Sequence, residues 1–203
     1  MTLRELPITG ILLAAGSGSR FSPDGSADKL LAPLPDGTPM ALACLHLLQT
    51  ISERVIAVVR PESQALSELL LDSGAAILPC PTASEGMGTS LAFAARACLA
   101  QPSPCVIALA DMPWIRPATF THVAALLALH AAVAPVFEGQ RGHPVGFGAS
   151  LLPALANLSG DEGARRLLQE GPLYKMVCDD PGVVQDVDVP ADMDRARRFY
   201  KAQ

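Results

Sequence analysis

The residues best suited to chemistry lie near the start of the chain, where Gly16-Ser17-Gly18-Ser19-Arg20 follows an apolar run and Lys29 stands a short way downstream. Small residues let backbone N–H groups come close to an anion, and a guanidinium and an ammonium neutralise what the amides hold. That set suits a polyphosphate. Two better-known phosphate loops do not fit: no Gly-Lys-Ser/Thr follows Gly18, and Phe21 stands where a dinucleotide fingerprint needs its third glycine. Paired cations suit a highly charged triphosphate better than a shielded dinucleotide pyrophosphate. A plain strand-to-helix turn with solvated cations is the alternative reading of this loop alone.

A second set is acidic. Asp111 closes the uncharged run Cys105 to Ala110 and precedes Met112-Pro113, and Gln185-Asp186-Val187-Asp188-Val189-Pro190 offers two further carboxylates. A carboxylate at the carboxyl end of a strand can hold Mg²⁺ against phosphate oxygens. Asp111 read by itself fits a turn or capping aspartate better, and it is the combination with the phosphate loop that favours the metal. One of Asp186 and Asp188 is expected to join Asp111 at the metal, the other to remain a surface charge.

The elements that must position these residues read as alternating strands and helices. Ile8 to Ala15 is the first strand, and Phe21 to Pro39, rich in Pro, Gly and Asp, is irregular. Met40 to Thr50 carries a helical period, and Arg54 to Val59 is a second strand. Pro61 opens a helix through Ser73, and Ala75 to Pro79 is a third strand. Glu85 to Ser90 turns into a helix over Leu91 to Ala100, followed by a strand from Cys105 to Ala110 and a helix over Pro117 to Leu129. The rhythm then changes to an irregular hairpin, with Ala132 to Phe137 and Pro144 to Gly148 flanking Glu138 to Gly142. A helix opened by Ser159 to Glu162, a last strand near Val183 to Val189 and a helix from Pro190 complete the expectation. The fold class is α/β: one domain, 1–203, with a Rossmann-like, doubly wound, mostly parallel sheet and a late β-hairpin.

Composition narrows the partners. The 203 residues are 50% hydrophobic but only 4% aromatic and 17% charged, which favours a core of Ala, Leu and Val under a parallel sheet. A net charge of −5 without a basic run argues against nucleic acid. Cys44, Cys80, Cys98, Cys105 and Cys178 show no metal-binding spacing and read as buried thiols of a reducing compartment. The apolar run after Arg4 is too short for a secretory signal, and Val123 to Phe137, broken by His130 and Pro135, is too short to cross a membrane. A cytoplasmic protein with no membrane or nucleic-acid partner is the expectation.

Six short stretches, taken in order, carry a resemblance: Leu13-Ala-Ala-Gly-Ser-Gly-Ser-Arg20 with Lys29, Glu85-Gly-Met-Gly-Thr-Ser90-Leu91, Leu109-Ala-Asp111-Met-Pro113, Gly142-His-Pro-Val145, Gly160-Asp-Glu-Gly-Ala-Arg165 and Asp186-Val-Asp-Val-Pro190. Together they resemble the MobA-like nucleotidyltransferases, with the molybdenum cofactor cytidylyltransferase branch the nearest. The likeness spans about residues 8 to 195 and implies a nucleotide-diphospho-sugar transferase-like fold, with a nucleotide half over about 8–115 and an acceptor half over about 116–195. It implies that Leu13, Ala14, Ala15, Gly16, Ser17, Gly18, Ser19, Arg20, Lys29, Gly86 and Ser90 bind the nucleotide. Backbone at Ala14 and Ala15, with Ser90, would meet base and ribose, and the loop with Arg20 would meet the triphosphate. Lys29, Arg20 and Asp111 would act in catalysis, Asp111 and Asp188 would hold Mg²⁺, and His143, Asp161 and Arg165 would line the acceptor pocket. Turn and capping roles are the alternatives for those last three. The branch resemblance implies CTP as donor, a molybdopterin-type acceptor and a downstream molybdoenzyme or its chaperone. One departure is plain: the family joins its arginine to its lysine through a short Met-Gly segment, whereas Phe21 to Asp28 is longer here.

The chemistry so implied is in-line attack of an acceptor phosphate oxygen on the α-phosphorus with loss of pyrophosphate, which needs no general base because the nucleophile is already an anion. GMP transfer, transfer to a sugar phosphate or other metabolite, and a nucleotide-binding module without turnover are the alternatives. A serine hydrolase fits less well, since Gly88-Thr89-Ser90-Leu91 is not a Gly-x-Ser-x-Gly elbow.

Overall fold

The computed structural model describes residues 7–22 and 27–193. The expected alternation is present. Strand β1 (Thr9–Ala14) leads through the glycine-rich loop to α1 (Met40–Gln49), then β2 (Arg54–Val59), α2 (Gln64–Asp72), β3 (Ala76–Pro79) and α3 (Met87–Cys98). β4 (Cys105–Leu109), α4 (Pro117–Leu126), β5 (Ala132–Phe137), β6 (Gln140–Arg141) and β7 (Val145–Phe147) follow. Short helices α5 (Leu152–Leu155) and α6 (Arg165–Glu170) and strand β8 (Leu173–Val177) complete the described elements.

The sheet runs in the order β3-β2-β1-β4-β7-β5-β6, with β8 also on β5. β3, β2, β1 and β4 are parallel, as are β5 and β8, whereas β7 is antiparallel to both β4 and β5. Along β1 the apolar side chains alternate between faces. Leu12 and Ala14 join the core cluster made with α1, α2 and α4, while Ile11, Leu13 and Ala15 join the one made with α3, α5 and α6. Helices on both faces make the sheet doubly wound, and they explain why its central strands lack a polar alternation.

The return of the chain after β5 is bulged. β6 pairs Val136 with Arg141, while β7 pairs Val133 with Gly146; Gly142 N–H still donates to the Pro135 carbonyl at 2.9 Å, and His143 and Pro144 bulge out after it. The N–H that Pro135 lacks faces this side of β5, where the ladder is already relaxed. Gly142 is required there: a Cβ on it would run into the Val183 carbonyl.

Four sequence expectations shift. The helix assigned from Pro61 begins at Gln64, because Pro61 and Glu62 form a turn closed by Ser63 N–H onto the Arg60 carbonyl at 3.1 Å. The helix assigned from Leu91 begins four residues earlier, at Met87. The helix assigned from Ser159 begins only at Arg165, because Gly160 and Gly163 adopt positive φ of 65° and 54° and break the run. The last strand expected at Val183 to Val189 is instead a 3-10 turn, Pro181–Val184, and an extended return: Val187 N–H donates to the Asp111 carbonyl at 2.9 Å and the Val183 carbonyl accepts from His143 N–H at 2.8 Å. Its backbone groups are satisfied by loops rather than by a strand. The helix from Pro190 is described only to Met193, and Pro23 to Ser26 of the long loop, with Arg4, lie outside the described residues.

Candidate active site

The carboxyl ends of β1, β2 and β4 open onto a cavity of about 400 Å³. Gly16, Ser17, Gly18, Lys29, Asp111, Arg60, Ala83, Ser84, Gly86 and Ser90 line it; the strand order sets Arg60, after β2, and Ala83 and Ser84, after β3, on one side of the glycine loop and Asp111, after β4, on the other. Leu13 and Ala15 also reach it, whereas Ala14 is packed into the core on the opposite face. Ser19 and Arg20 stand exposed beyond the cavity lining.

Local structure explains how each group is held. Gly18 takes a left-handed φ of 60°, and its carbonyl accepts from the N–H groups of Phe21 and Ser22 at 2.9 and 3.1 Å, which turns the loop back on itself. Asp28 then caps a single 3-10 turn, Lys29–Leu31, its Oδ1 accepting from Leu30 N–H at 2.9 Å. That turn points Lys29 inward. Only 8% exposed, Lys29 donates from Nζ to Asp111 Oδ2 at 2.7 Å and to the Val187 carbonyl at 2.8 Å. Arg20 pairs with Asp188. The longer Phe21 to Asp28 segment therefore still delivers Lys29 to Asp111.

The acidic groups crowd. The Asp186 carboxyl is pushed up, first by burial and then by the negative charges of Asp188 and Asp111, so the three carboxylates feel one another. Such a concentration of hard oxygens fits a divalent cation. Among the described residues no three His, Cys, Asp or Glu side chains form a closed metal cage. An open site of one or two carboxylates, completed by substrate phosphates, is the arrangement that Mg²⁺ ordinarily takes.

A second cavity of about 160 Å³ adjoins the first across Leu13 and Met87, which line both. Its walls mix Leu91, Ile107, Val145 and Phe147 with Arg141, His143, Glu162 and Arg165. His143 Nδ1 is enclosed and has no hydrogen-bond partner. Burial pushes the imidazole down to about 4, against the opposing effect of a hydrogen bond with the Ile107 backbone, so it is neutral in ordinary buffers. His143 and Arg165 thus meet as the sequence led one to expect, while Asp161 lines the first cavity beside Gly86 instead. Gly86 and Gly88 allow this join: a Cβ on Gly86 would strike Asp161 Oδ1, one on Gly88 would lie 2.7 Å from the Gly160 carbonyl, and Gly88 N–H donates to that carbonyl at 2.7 Å.

Sequence reasoning gave no role to Arg60 or Arg141, and quoted Met87 and Glu162 only inside longer motifs. Arg60 had a signal: it follows directly on β2, whose Val59 pairs with Ala14, and so stands at the same carboxyl edge as the phosphate loop. Met87 opens α3, Arg141 closes β6 and Glu162 lies on the turn before α6; which cavity each lines depends on tertiary contacts.

Comparison with known proteins identifies the family and the fold. Residues 10–175 match the MobA-like NTP transferase domain. The chain is 29% identical to the purine catabolism protein PucB of Bacillus subtilis, over 97% of this chain and 98% of that one, and 32% identical to nicotine blue oxidoreductase of Paenarthrobacter nicotinovorans, over 94% and 97%. Its fold is similar to that of Rv0371c from Mycobacterium tuberculosis (TM-score 0.81, 24% identity, 96% and 99% of the two chains). A nucleotidyl transferase from Methanothermobacter shares the fold as well (TM-score 0.80, 22% identity, 97% and 99%). Rv0371c has also been solved as a complex with manganese, an entire-chain match at TM-score 0.70, 24% identity and 97% of this chain.

Proposed function

The chain belongs to the MobA-like NTP transferase family and is a nucleotidyltransferase, and from that premise we propose that it transfers CMP from CTP to the phosphate of a molybdopterin-type acceptor, releasing pyrophosphate. One observation carries the reading: the nucleotide-sized cavity that holds the Lys29–Asp111 pair shares Leu13 and Met87 with a second cavity that presents His143, Arg141 and Arg165. A donor in the first and an acceptor in the second would meet near β1 and β4.

Backbone N–H groups of the Gly16 loop cradle the phosphates, with Arg20 swinging in from the rim. Lys29 approaches the α-phosphoryl oxygens from the floor, a position held by the Asp28-capped turn. An acceptor phosphate oxygen attacks the α-phosphorus, the new P–O bond forms as the bond to the β-phosphate oxygen breaks, and pyrophosphate carries away the electron pair. No proton moves. Asp111 and Asp188 would hold Mg²⁺, which supplies charge neutralisation at the phosphates when bound; the manganese bound by Rv0371c supports a divalent ion at this fold. In the second cavity the apolar walls suit a flat heterocycle, and Arg141 with Arg165 suits its phosphate. The product would pass to a molybdoenzyme or its chaperone. The chain is proposed to act as one domain in the cytoplasm; among the described residues no helix is long and apolar enough to cross a membrane.

The test is pyrophosphate release from CTP, GTP, UTP and ATP with Mg²⁺, with and without molybdopterin or its molybdenum form. Release that needs both CTP and the pterin is the expected result. Release with GTP, or with a sugar phosphate, replaces the substrate while keeping the class. Nucleotide binding without release under any acceptor overturns the transferase assignment for a binding module.

A further inference from the structure

We infer that Arg60 is the residue that reads the base, selecting nucleotides whose base presents two adjacent hydrogen-bond acceptors and no intervening donor. The inference rests on the nucleotide reading of the first cavity and adds to it a group that the phosphate chemistry does not use.

The cavity has two unlike ends. At one, Lys29 and Asp111 are ion-paired, with the glycine loop above them; this is the end suited to phosphates. At the other, which the strand order sets on the β2 and β3 side, Ala83 and Ser84 join Arg60, its one cation among the described residues, and Asp161 beside Gly86 adds a carboxylate to the lining. Phosphates drawn to the Lys29 end leave the base at the Arg60 end.

Arg60 is held in a particular way. Its Nε–H donates to the Ala15 carbonyl at 2.9 Å, which fixes the plane of the guanidinium against the carboxyl end of β1. The terminal amino groups have no hydrogen-bond partner among the described residues, and the ion pair to Glu62 is a loose 3.9 Å with a Glu62 side chain that is 71% exposed. Arg60 itself is 27% exposed along its side chain, so the fork is sheltered yet open to the cavity. The anchored Nε leaves the outer edge of the fork, a pair of parallel N–H donors, aimed by the rest of the group.

A donor-only fork discriminates by what it cannot accept. Cytosine offers N3 and O2 side by side, and guanine offers O6 and N7; both match a pair of parallel donors. Uracil places an N–H between its two carbonyls, and adenine sets an amino group beside N1 and beside N7, so either base leaves one guanidinium N–H facing a donor or no partner. A sheltered donor that a bound base cuts off from water and leaves unmatched is unfavourable, so the wrong base loses affinity as well as lacking the right contact. Arg60 thereby confines the donor to CTP or GTP.

The experiment is equilibrium binding of CTP, GTP, UTP and ATP, each with Mg²⁺, to the wild-type chain, Arg60→Lys and Arg60→Gln, with inorganic tripolyphosphate as a probe that has no base. Wild type should bind CTP, GTP or both at least about tenfold tighter than UTP and ATP, the scale of one good bidentate contact. Both substitutions should bring the four nucleotides within about threefold of one another, on the loss of that contact, while tripolyphosphate affinity stays unchanged. An unaltered ranking in the variants overturns the inference. So does an equal loss for all four nucleotides and for tripolyphosphate, which would make Arg60 a brace for the Ala15 turn and nothing more. Discrimination that depends on Arg60 in a protein that forms no product with any acceptor would leave this inference standing and sink the transferase reading; product formation with an unchanged ranking would do the reverse. Failure of every nucleotide to bind the wild type overturns both.

Discussion

Lys29 is where charge and burial are most at odds. An ammonium that is 8% exposed persists there because Asp111 and the Val187 carbonyl both accept from it. In the proposed reaction its work is electrostatic, at oxygens whose charge shifts as the α-phosphorus is attacked. Losing one such contact costs about 10² to 10³ in rate, so Lys29→Ala should lower kcat by that factor with a smaller change in the KM for nucleotide. Turnover near wild type would remove Lys29 from the role. His143 gives a prediction in pH. Its folded value, near 4, lies below the ordinary 6.5, so the unfolded chain takes up a proton over that interval while the folded one does not. Stability contributed by the neutral ring is complete above about pH 6.5 and is lost as the pH falls towards 4, by roughly 2 kcal/mol after discounting for the part of the ring that meets water. Denaturant titrations of the wild type and of His143→Gln at pH 7.5 and 4.5 should therefore converge at the lower pH; parallel losses would show that the ring does not titrate as its surroundings require. Asp111 and the glycine loop were legible in the sequence because each sits where an apolar run stops abruptly, and Lys29 because it is the next cation after the loop. Arg60 and Arg141 were not, because a charge at the end of a strand looks solvated until its neighbours in space are known.

At the level of elements, glycines separate packing from function. Gly142 lies where a Cβ would overlap the Val183 carbonyl, while nothing approaches within 4 Å of a Cβ placed on Gly16. Gly142→Ala should lose about 1–3 kcal/mol, the usual cost of forcing atoms into a filled site, measured by chemical denaturation. Gly16→Ala should leave stability within about 0.5 kcal/mol, as for substitutions that touch no packed feature, and weaken nucleotide binding instead. The reverse pattern would mean that Gly16 is a structural turn and the phosphate loop is misassigned. Behind Gly142 stands a brace that no motif reveals. Asp180, 2% exposed, accepts from Arg116 N–H at 2.8 Å, Thr119 Oγ1 at 2.6 Å and Gly182 N–H at 3.0 Å, which ties the start of α4 to the return that carries Asp186 and Asp188. That brace explains why the last segment misleads a reader of sequence. Val183 to Val189 alternates as a half-buried strand would, yet its partners are the Asp111 loop, His143 and Lys29, which are reached only after the whole sheet has formed. β8 was missed for the opposite reason: Met176 is its one buried residue, so Leu173 to Val177 carries little apolar signal, and the strand exists because β5 needs a neighbour on its outer edge. The inner strands were legible because both their faces are buried.

For the molecule as a whole, the net charge of −5 does nothing to draw in a triphosphate, and the cations meant for it are already engaged. Lys29 is bound to Asp111 and Arg20 to Asp188, so the groups assigned to phosphate are neutralised by the groups assigned to the metal. Neither ligand can then be held fully by itself. A nucleotide without metal must pull Lys29 away from a carboxylate that is left uncompensated, and a metal without nucleotide must displace the two cations towards nothing. Arriving together, they exchange partners in one step, carboxylate to metal and cation to phosphate, and every charge stays paired. Affinity for the nucleotide should thus rise with divalent metal by at least about fivefold, the lower end of ordinary coupling between sites, and metal affinity should rise by the same factor with nucleotide. Removing a carboxylate should uncouple them: Asp188→Asn, at the exposed pair, should bind nucleotide in chelator more tightly than the wild type does, while losing most turnover. Asp111→Asn should do the same provided that Lys29 stays folded in place, which a melting curve checks. Calorimetric titration of CTP in chelator and in Mg²⁺ measures the nucleotide affinities, and titration of Mg²⁺ with and without CTP measures those of the metal. Additive binding in the wild type, or a metal-free affinity that falls in Asp188→Asn, would show that the ion pairs are resting contacts with no hold on the order in which the ligands bind.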